Sequence, residues 1–238
     1  MTDILVIQHE DTVGLGRLGL WLEAAGAHLR ICRPDRGDQV PPRAGGADGL
    51  IVLGGTAAPH DDDRWPWLPD VRALQRTAVD ARLPTLNICL GAQLCAAAYG
   101  VDVFRRTAPQ LGVAELTLRP EAQEDRLFRG LPEHPQAVLW HQEEIAQLPA
   151  GAVHLIEGTD APVQAFRMGH CAWSVQFHPE PDEETLAAWA LGPGSLAAGR
   201  GPEEILASFA RRAGDIEAYF QPVAERFVEV CRAEAAAP

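Results

Sequence analysis

Pro84-Thr85-Leu86-Asn87-Ile88-Cys89-Leu90-Gly91-Ala92-Gln93 reads as a buried strand, Pro84–Ile88, that turns at once into a helix, Gly91–Ala98. A strand feeding directly into a helix is the building unit of an α/β sheet, and ligands bind beyond the carboxyl ends of such strands. Cys89 stands at that end. A nucleophile on a strand-to-helix turn projects into the cleft, with the following backbone N–H aimed at a substrate oxygen. Gly91 permits close backbone approach, and a helix N-terminus favours a thiolate. From this segment alone, a small buried cysteine with a packing role explains the residues equally well.

The chain on the N-terminal side repeats the same alternation. Ile4–Gln8, His28–Cys32 and Gly49–Leu53 read as strands. Leu15–Ala25 reads as a helix with Leu18, Trp21, Leu22 and Ala25 at helical spacing and Gly26 at its end, and Pro69–Ala81 reads as another. This order predicts a mostly parallel sheet covered by helices. Beyond the elbow, short extended runs at Val101–Phe104, Val113–Leu118, Ala137–Trp140, Ala152–Glu157, Val163–Arg167 and Cys171–Phe177 predict further strands, some antiparallel. Helices are expected at Glu183–Leu191, Glu203–Arg211 and Ile216–Cys231, with a loop over Gly192–Pro202, a break at Pro222 and a frayed tail over Ala233–Pro238.

The 238 residues suffice for one well-covered domain, and there is no internal repeat or low-complexity linker. We expect residues 1–190 to form the main α/β unit and residues 191–238 a helical extension packed on the same domain. The net charge of −13 argues against nucleic-acid and membrane partners. All 20 basic residues are Arg, which excludes lysine chemistry. Five cysteines without a C-x-x-C pair argue against a disulfide framework or a zinc site. The N-terminus lacks the basic flank and long apolar segment of a signal peptide, so a cytoplasmic protein is expected.

A base for Cys89 is offered by Gln176-Phe177-His178-Pro179-Glu180, which follows an apolar strand. His178 and Glu180 are two apart, so in an extended segment both side chains leave on one side. A carboxylate beside an imidazole fixes its tautomer and stabilises the imidazolium. Glu180 is expected in a solvated cleft at the strand end. Read alone, the segment also fits a surface loop.

Together, N-I-C-L-G-A-Q and Q-F-H-P-E, 89 residues apart from Cys89 to His178, resemble the class I, triad-type glutamine amidotransferases. That family carries a G-x-C-x-G-x-Q elbow and a later H-P-E. The likeness extends to the L-G-G of Leu53–Gly55 and to Trp140-His141-Gln142-Glu143, which is similar to a W-H-x-D segment of the amidotransferase domain of GMP synthase. Asn87 replaces the family's first elbow glycine, and Glu143 its Asp.

The resemblance implies a single flavodoxin-like α/β domain in which Cys89 attacks the side-chain amide of glutamine. A γ-glutamyl thioester then forms and is hydrolysed to glutamate. His178 carries the protons, Glu180 holds His178, and the backbone N–H groups of Gly55 and Leu90 form the oxyanion hole. Gly54, Gln93 and His141 lie near the substrate, and no metal or organic cofactor is needed. Ammonia is expected to pass to a separate synthase subunit, because no ATP-grasp or P-loop signature is present.

Two alternatives share the residues: a hydrolase of γ-glutamyl peptides or conjugates, and a catalytically silent binding or regulatory protein. Elsewhere, His9 and His60 are read as loop histidines near the cleft rim. Asp61-Asp62-Asp63 is read as a solvated loop, and Cys95 as core.

Overall fold

The computed structural model describes residues 1–192 and 201–236. Its elements are β1 (Thr2–Ile7), α1 (Gly16–Ala24), β2 (Ala27–Cys32), β3 (Gly49–Val52), α2 (Leu68–Asp80), β4 (Thr85–Ile88), α3 (Leu90–Ala98), β5 (Val103–Glu115), β6 (Thr117–Leu118), α4 (Pro120–Gln123), β7 (Gln136–Ile145), β8 (Val153–Glu157), β9 (Ala165–Met168), β10 (Ala172–Val175), α5 (Glu183–Ala190) and α6 (Pro202–Ala235).

Eight strands form one sheet in the order β2-β1-β3-β4-β10-β9-β8-β6. The first five run parallel, and β9, β8 and β6 continue antiparallel. The mostly parallel α/β sheet with antiparallel additions is the expected fold. Strands β3, β4 and β10 are buried along their whole length, because helices cover both faces. Alternate residues divide between the faces. Leu5, Ile7, Leu50 and Val52 pack against Leu68, Val71 and Leu74 of α2 and Leu90 and Leu94 of α3. Ile4, Val6, Ile51, Leu86 and Ile88 face Leu18 and Leu22 of α1, in a core that α6 shares through Phe220 and Phe227.

The antiparallel pair β5–β7 forms a separate two-stranded sheet. The sequence predicts distinct strands at Val101–Phe104 and Val113–Leu118, yet β5 runs through the region between them. The register jumps from Arg105↔Glu143 to Gln110↔His141, so residues 106–109 bulge out opposite Gln142. Pro109 cannot donate to a ladder, and the bulge accommodates it without ending the strand.

Helix α6 departs from expectation more strongly. It is continuous for 34 residues across Pro222 and Gly214, and it includes Ala233–Ala235 of the expected tail. Residues 193–200 of the expected Gly192–Pro202 loop, and residues 237 and 238 of the tail, lie outside the described residues. The reason for continuity is tertiary. Ile205, Phe209, Ile216, Phe220, Val223, Phe227 and Val230 form one buried face spaced three, four or seven residues apart, which docks along the whole helix. Proline in a helix interior costs about 3 kcal/mol, and that burial outweighs it. Pro222→Ala should therefore raise stability by about 1–3 kcal/mol in urea denaturation. No gain would mean that the helix has already relaxed around the missing donor.

Candidate active site

The carboxyl ends of the parallel strands meet at one edge of the sheet, and the candidate residues sit there. Cys89 caps α3 with φ +49° and ψ −105°, a conformation that costs a non-glycine residue about 1–3 kcal/mol. Two hydrogen bonds hold it: Cys89 N–H donates to Val175 O (2.8 Å) and Gln93 N–H to Cys89 O (3.0 Å). The turn also requires Gly91, because a Cβ there would lie 2.3 Å from the carbonyl oxygen of Val52.

Asn87 does not crowd this elbow. It lies within extended β4 and points to the α2 face, where its Nδ2 donates to Trp173 O (3.2 Å) and Ser174 Oγ (3.1 Å). Its Oδ1 accepts from Gln75 Nε2 (2.8 Å), which also donates to Gly91 O (2.7 Å). The departure from glycine thus ties α2, β4 and β10 together beneath the turn.

His178 follows β10, and its N–H donates to Val138 O (2.8 Å), which draws β7 over the site. Its Nδ1 lies 2.5 Å from Glu180 Oε1, so Nδ1 carries the proton and donates. Its Nε2 is buried without a hydrogen bond. Burial opposes the charged ring, but the Glu180 carboxylate and then the neighbouring Cys89 outweigh it, holding His178 well above the usual imidazole range. Exposure is 5 % for Cys89, 3 % for His178 and 0 % for Glu180. Glu180 is therefore not in a solvated cleft. Gly16 and Arg17 pack over its backbone, and Arg17 N–H donates to Glu180 O (2.9 Å).

Gly54 and Gly55 follow β3 against this pair. A Cβ on Gly54 would stand 3.1 Å from His178 Cε1 and 3.5 Å from Cys89 Cβ. Glu10, after β1, fastens the next residue: its Oε2 accepts from Thr56 Oγ1 (2.7 Å). Leu90, the first residue of α3, is fully buried.

Two cavities flank Cys89, and Gly55, Thr56, Cys89 and Trp140 line both. One, of about 270 Å³, is the more polar of the two, with Gln93, Arg105, His141, Gln142 and Glu143 on its walls. Gln93 Nε2 is committed to Glu143 O (3.1 Å) and Gln176 Oε1 (3.3 Å), so it shapes this wall. Glu143, one methylene longer than the family's Asp, reaches Arg105 Nη1 at 2.5 Å. The other cavity, of about 330 Å³, carries His178, Val13, Ala188 and Trp189, with Glu10 and Thr12 at its polar side. Trp189 stacks edge-on against His178 at 4.9 Å, and its Nε1 donates to Thr12 O (2.8 Å).

The sequence alone did not identify Arg105, Glu10 or Trp189 as neighbours of Cys89. Arg105 arrives on β5, paired with Glu143 beside the bulge, and Trp189 arrives through α5, neither of which leaves a local motif. His9 is not a rim residue: it is buried behind Gly55 and accepts from Trp67 Nε1 (3.2 Å). His60 is exposed, and Asp62 is paired with Arg72 (2.6 Å).

Burial pushes His9 and His141 down to about 4. An unfolded histidine titrates near about 6.5. In the fold both rings stay neutral where the unfolded chain takes up protons. Stability therefore falls as pH drops from about 6.5 towards about 4, by up to about 3 kcal/mol per ring. His141 Nδ1 donates to Glu143 O (2.9 Å), a bond that Asn can imitate. His141→Asn should flatten the acid limb of the melting temperature plotted against pH. An equally steep limb would show that His141 is protonated without unfolding.

Comparison with known proteins identifies the family and the fold. The chain is 29 % identical over 178 residues to the glutamine amidotransferase-like protein YfeJ of Salmonella typhimurium, covering 73 % of this chain and 74 % of that one. It is 33 % identical over 136 residues to a glutamine-hydrolysing GMP synthase subunit of Thermoplasma volcanium, covering 57 % and 63 %. The chain spans 27–64 % of the length of the first curated GMP synthases it matches. A glutamine amidotransferase structure from Methylobacillus flagellatus superposes with a TM-score of 0.85 at 26 % identity, covering 97 % of this chain and 95 % of that one. Another from Thermotoga maritima gives 0.86 at 21 % identity, covering 96 % and 98 %. No helix among the described residues is long and apolar enough to cross a membrane. The family profile "Glutamine amidotransferase class-I" matches residues 21–187, from α1 through the Cys89 elbow to α5, and the chain belongs to that family.

Proposed function

We propose that this protein hydrolyses the side-chain amide of glutamine through a covalent Cys89 intermediate. The observation that carries this reading is the single buried line from Glu180 through His178 towards Cys89, with one His178 nitrogen bound and the other unpartnered. The proton shared by Cys89 and His178 resides on His178 Nε2, and Sγ bonds to the amide carbon. Negative charge builds on the amide oxygen, where the backbone N–H groups of Gly55 and Leu90 stabilise it. The C–N bond then breaks as His178 returns the proton to the departing nitrogen, releasing ammonia. Water attacks the thioester, His178 takes its proton, and glutamate leaves as the C–S bond breaks, restoring the Cys89–His178 pair.

The polar cavity suits the amino-acid end of the substrate, with Arg105 facing the α-carboxylate and His141 and Gln93 closing the wall. No organic cofactor or metal takes part in this scheme. We read the described residues of the 191–238 extension as packed on the same domain, because the buried face of α6 shares its core. Likeness to a GMP synthase subunit supports a synthase on a second chain as the ammonia acceptor.

The test is to incubate the purified protein with glutamine, measure ammonia and glutamate together, and label the thiols with a glutamine-like electrophile. Equal but slow release of both products, with Cys89 labelled, is expected, because Gly54-Gly55 leaves the oxyanion loop free to reorganise until a partner orders it. No product and no Cys89 label would remove the reading.

A further inference from the structure

We propose that the site also hydrolyses γ-glutamyl amides whose nitrogen carries an uncharged apolar group, and prefers them to glutamine. This inference rests on the amide-hydrolase reading and assigns the second cavity. The departing nitrogen must receive its proton from His178, so it leaves on the side of Cys89 that His178 occupies. His178 lines the cavity of about 330 Å³ and does not line the polar one. The acyl group therefore occupies the polar cavity, and the leaving group enters the other.

Ammonia does not account for that second cavity. A molecule the size of water needs only about 10–15 Å³ of such space. The walls are Val13, Trp140, Ala188 and Trp189, and the two indoles stand 5.8 Å apart, a wall that suits an aryl or alkyl substituent.

The charge of the cavity narrows the class further. Among the described residues no Arg lines it, while the Glu10 carboxylate does. An anionic leaving group, such as the amino acid released from a γ-glutamyl peptide, would meet a like charge with no compensating cation among the described lining residues. A neutral amide of a simple amine meets none. The reaction balances as for glutamine: the C–N bond breaks, His178 Nε2 protonates the nitrogen, the amine leaves, and water cleaves the thioester to glutamate.

The experiment compares kcat/KM for glutamate release from glutamine, γ-glutamylethylamide, γ-glutamylphenethylamide and γ-glutamylphenylalanine. The last two differ only by a carboxylate on the leaving group. The phenethylamide should exceed glutamine by about tenfold or more, with the ethylamide between them, because each buried methylene and the ring add apolar contact. It should also exceed γ-glutamylphenylalanine by about tenfold. Ala188→Phe, an exposed α5 position on the cavity wall, should lower the phenethylamide-to-glutamine ratio about tenfold. Melting curves would confirm that this variant folds.

Glutamine hydrolysed faster than both substituted amides would overturn this inference alone and leave the amidase reading standing. A phenylalanine conjugate as good as the phenethylamide would overturn the charge selection. No glutamate from any of the four would remove the amidase reading and this inference with it.

Discussion

Cys89→Ala should reduce glutamate release to background, a loss of about 10⁶-fold by analogy with removal of a serine-protease nucleophile, while the melting temperature stays close to wild type. Loss of activity follows because no other cysteine is among the described residues that line either cavity. Cys95 is the nearest alternative in sequence, yet it is fully buried, and burial pushes its thiol up to about 11. Retention of the fold follows from where the strain resides. The unusual φ of residue 89 is a backbone property, and alanine keeps the same Cβ. The polar contacts of Sγ that disappear are a weak one to Trp140 O at 3.9 Å and its interaction with His178. Wild-type turnover in Cys89→Ala, with label on Cys95, would refute the assignment of the nucleophile.

Glu180→Gln should lower kcat/KM by about 10³–10⁴-fold, less than loss of Cys89 or His178. Removing the nucleophile or base deletes a step, whereas the amide only withdraws the charge that stabilises the imidazolium. Unlike Cys89→Ala, this change should also destabilise the fold, because Glu180 is fully buried and the hydrogen bond to His178 is charge-assisted.

The pH dependence fixes the cause. Glu180 raises the folded His178 above its unfolded value of about 6.5. That contribution is complete below about pH 6.5 and is lost as pH rises through the folded value. The stability difference between wild type and Glu180→Gln should therefore be larger near about pH 6 than at alkaline pH. A difference independent of pH would make Glu180 a packing residue, and unchanged kinetics would remove it from the catalytic machinery.

The positions of the chemical groups could be read in the sequence because each is set locally. A buried strand followed at once by a helix places Cys89 at a carboxyl edge, and an H-x-E after an apolar strand places two side chains on one side. The parallel sheet was legible for the same reason, since apolar runs and helical periodicity each need only a few neighbouring residues.

What failed was set by contacts distant in sequence. Pro222 marks a break by local rules, but a buried face running from Ile205 to Val230 carries the helix through it. The stretch between Phe104 and Val113 reads as a gap between two strands, but β7 pairs on both sides of residues 106–109 and turns them into a bulge.

The amino-acid sequence by itself determined the fold class and the residues that meet at the edge of the sheet, because those follow from short-range periodicity and from the elbow. Only the tertiary structure decided that Glu180 is buried, that Asn87 belongs to the support beneath the turn, and that Arg105 and Trp189 stand on opposite sides of Cys89. Burial and the shape of a cavity depend on which segments close over a residue, and α1, α5, β5 and β7 reach this site from far along the chain.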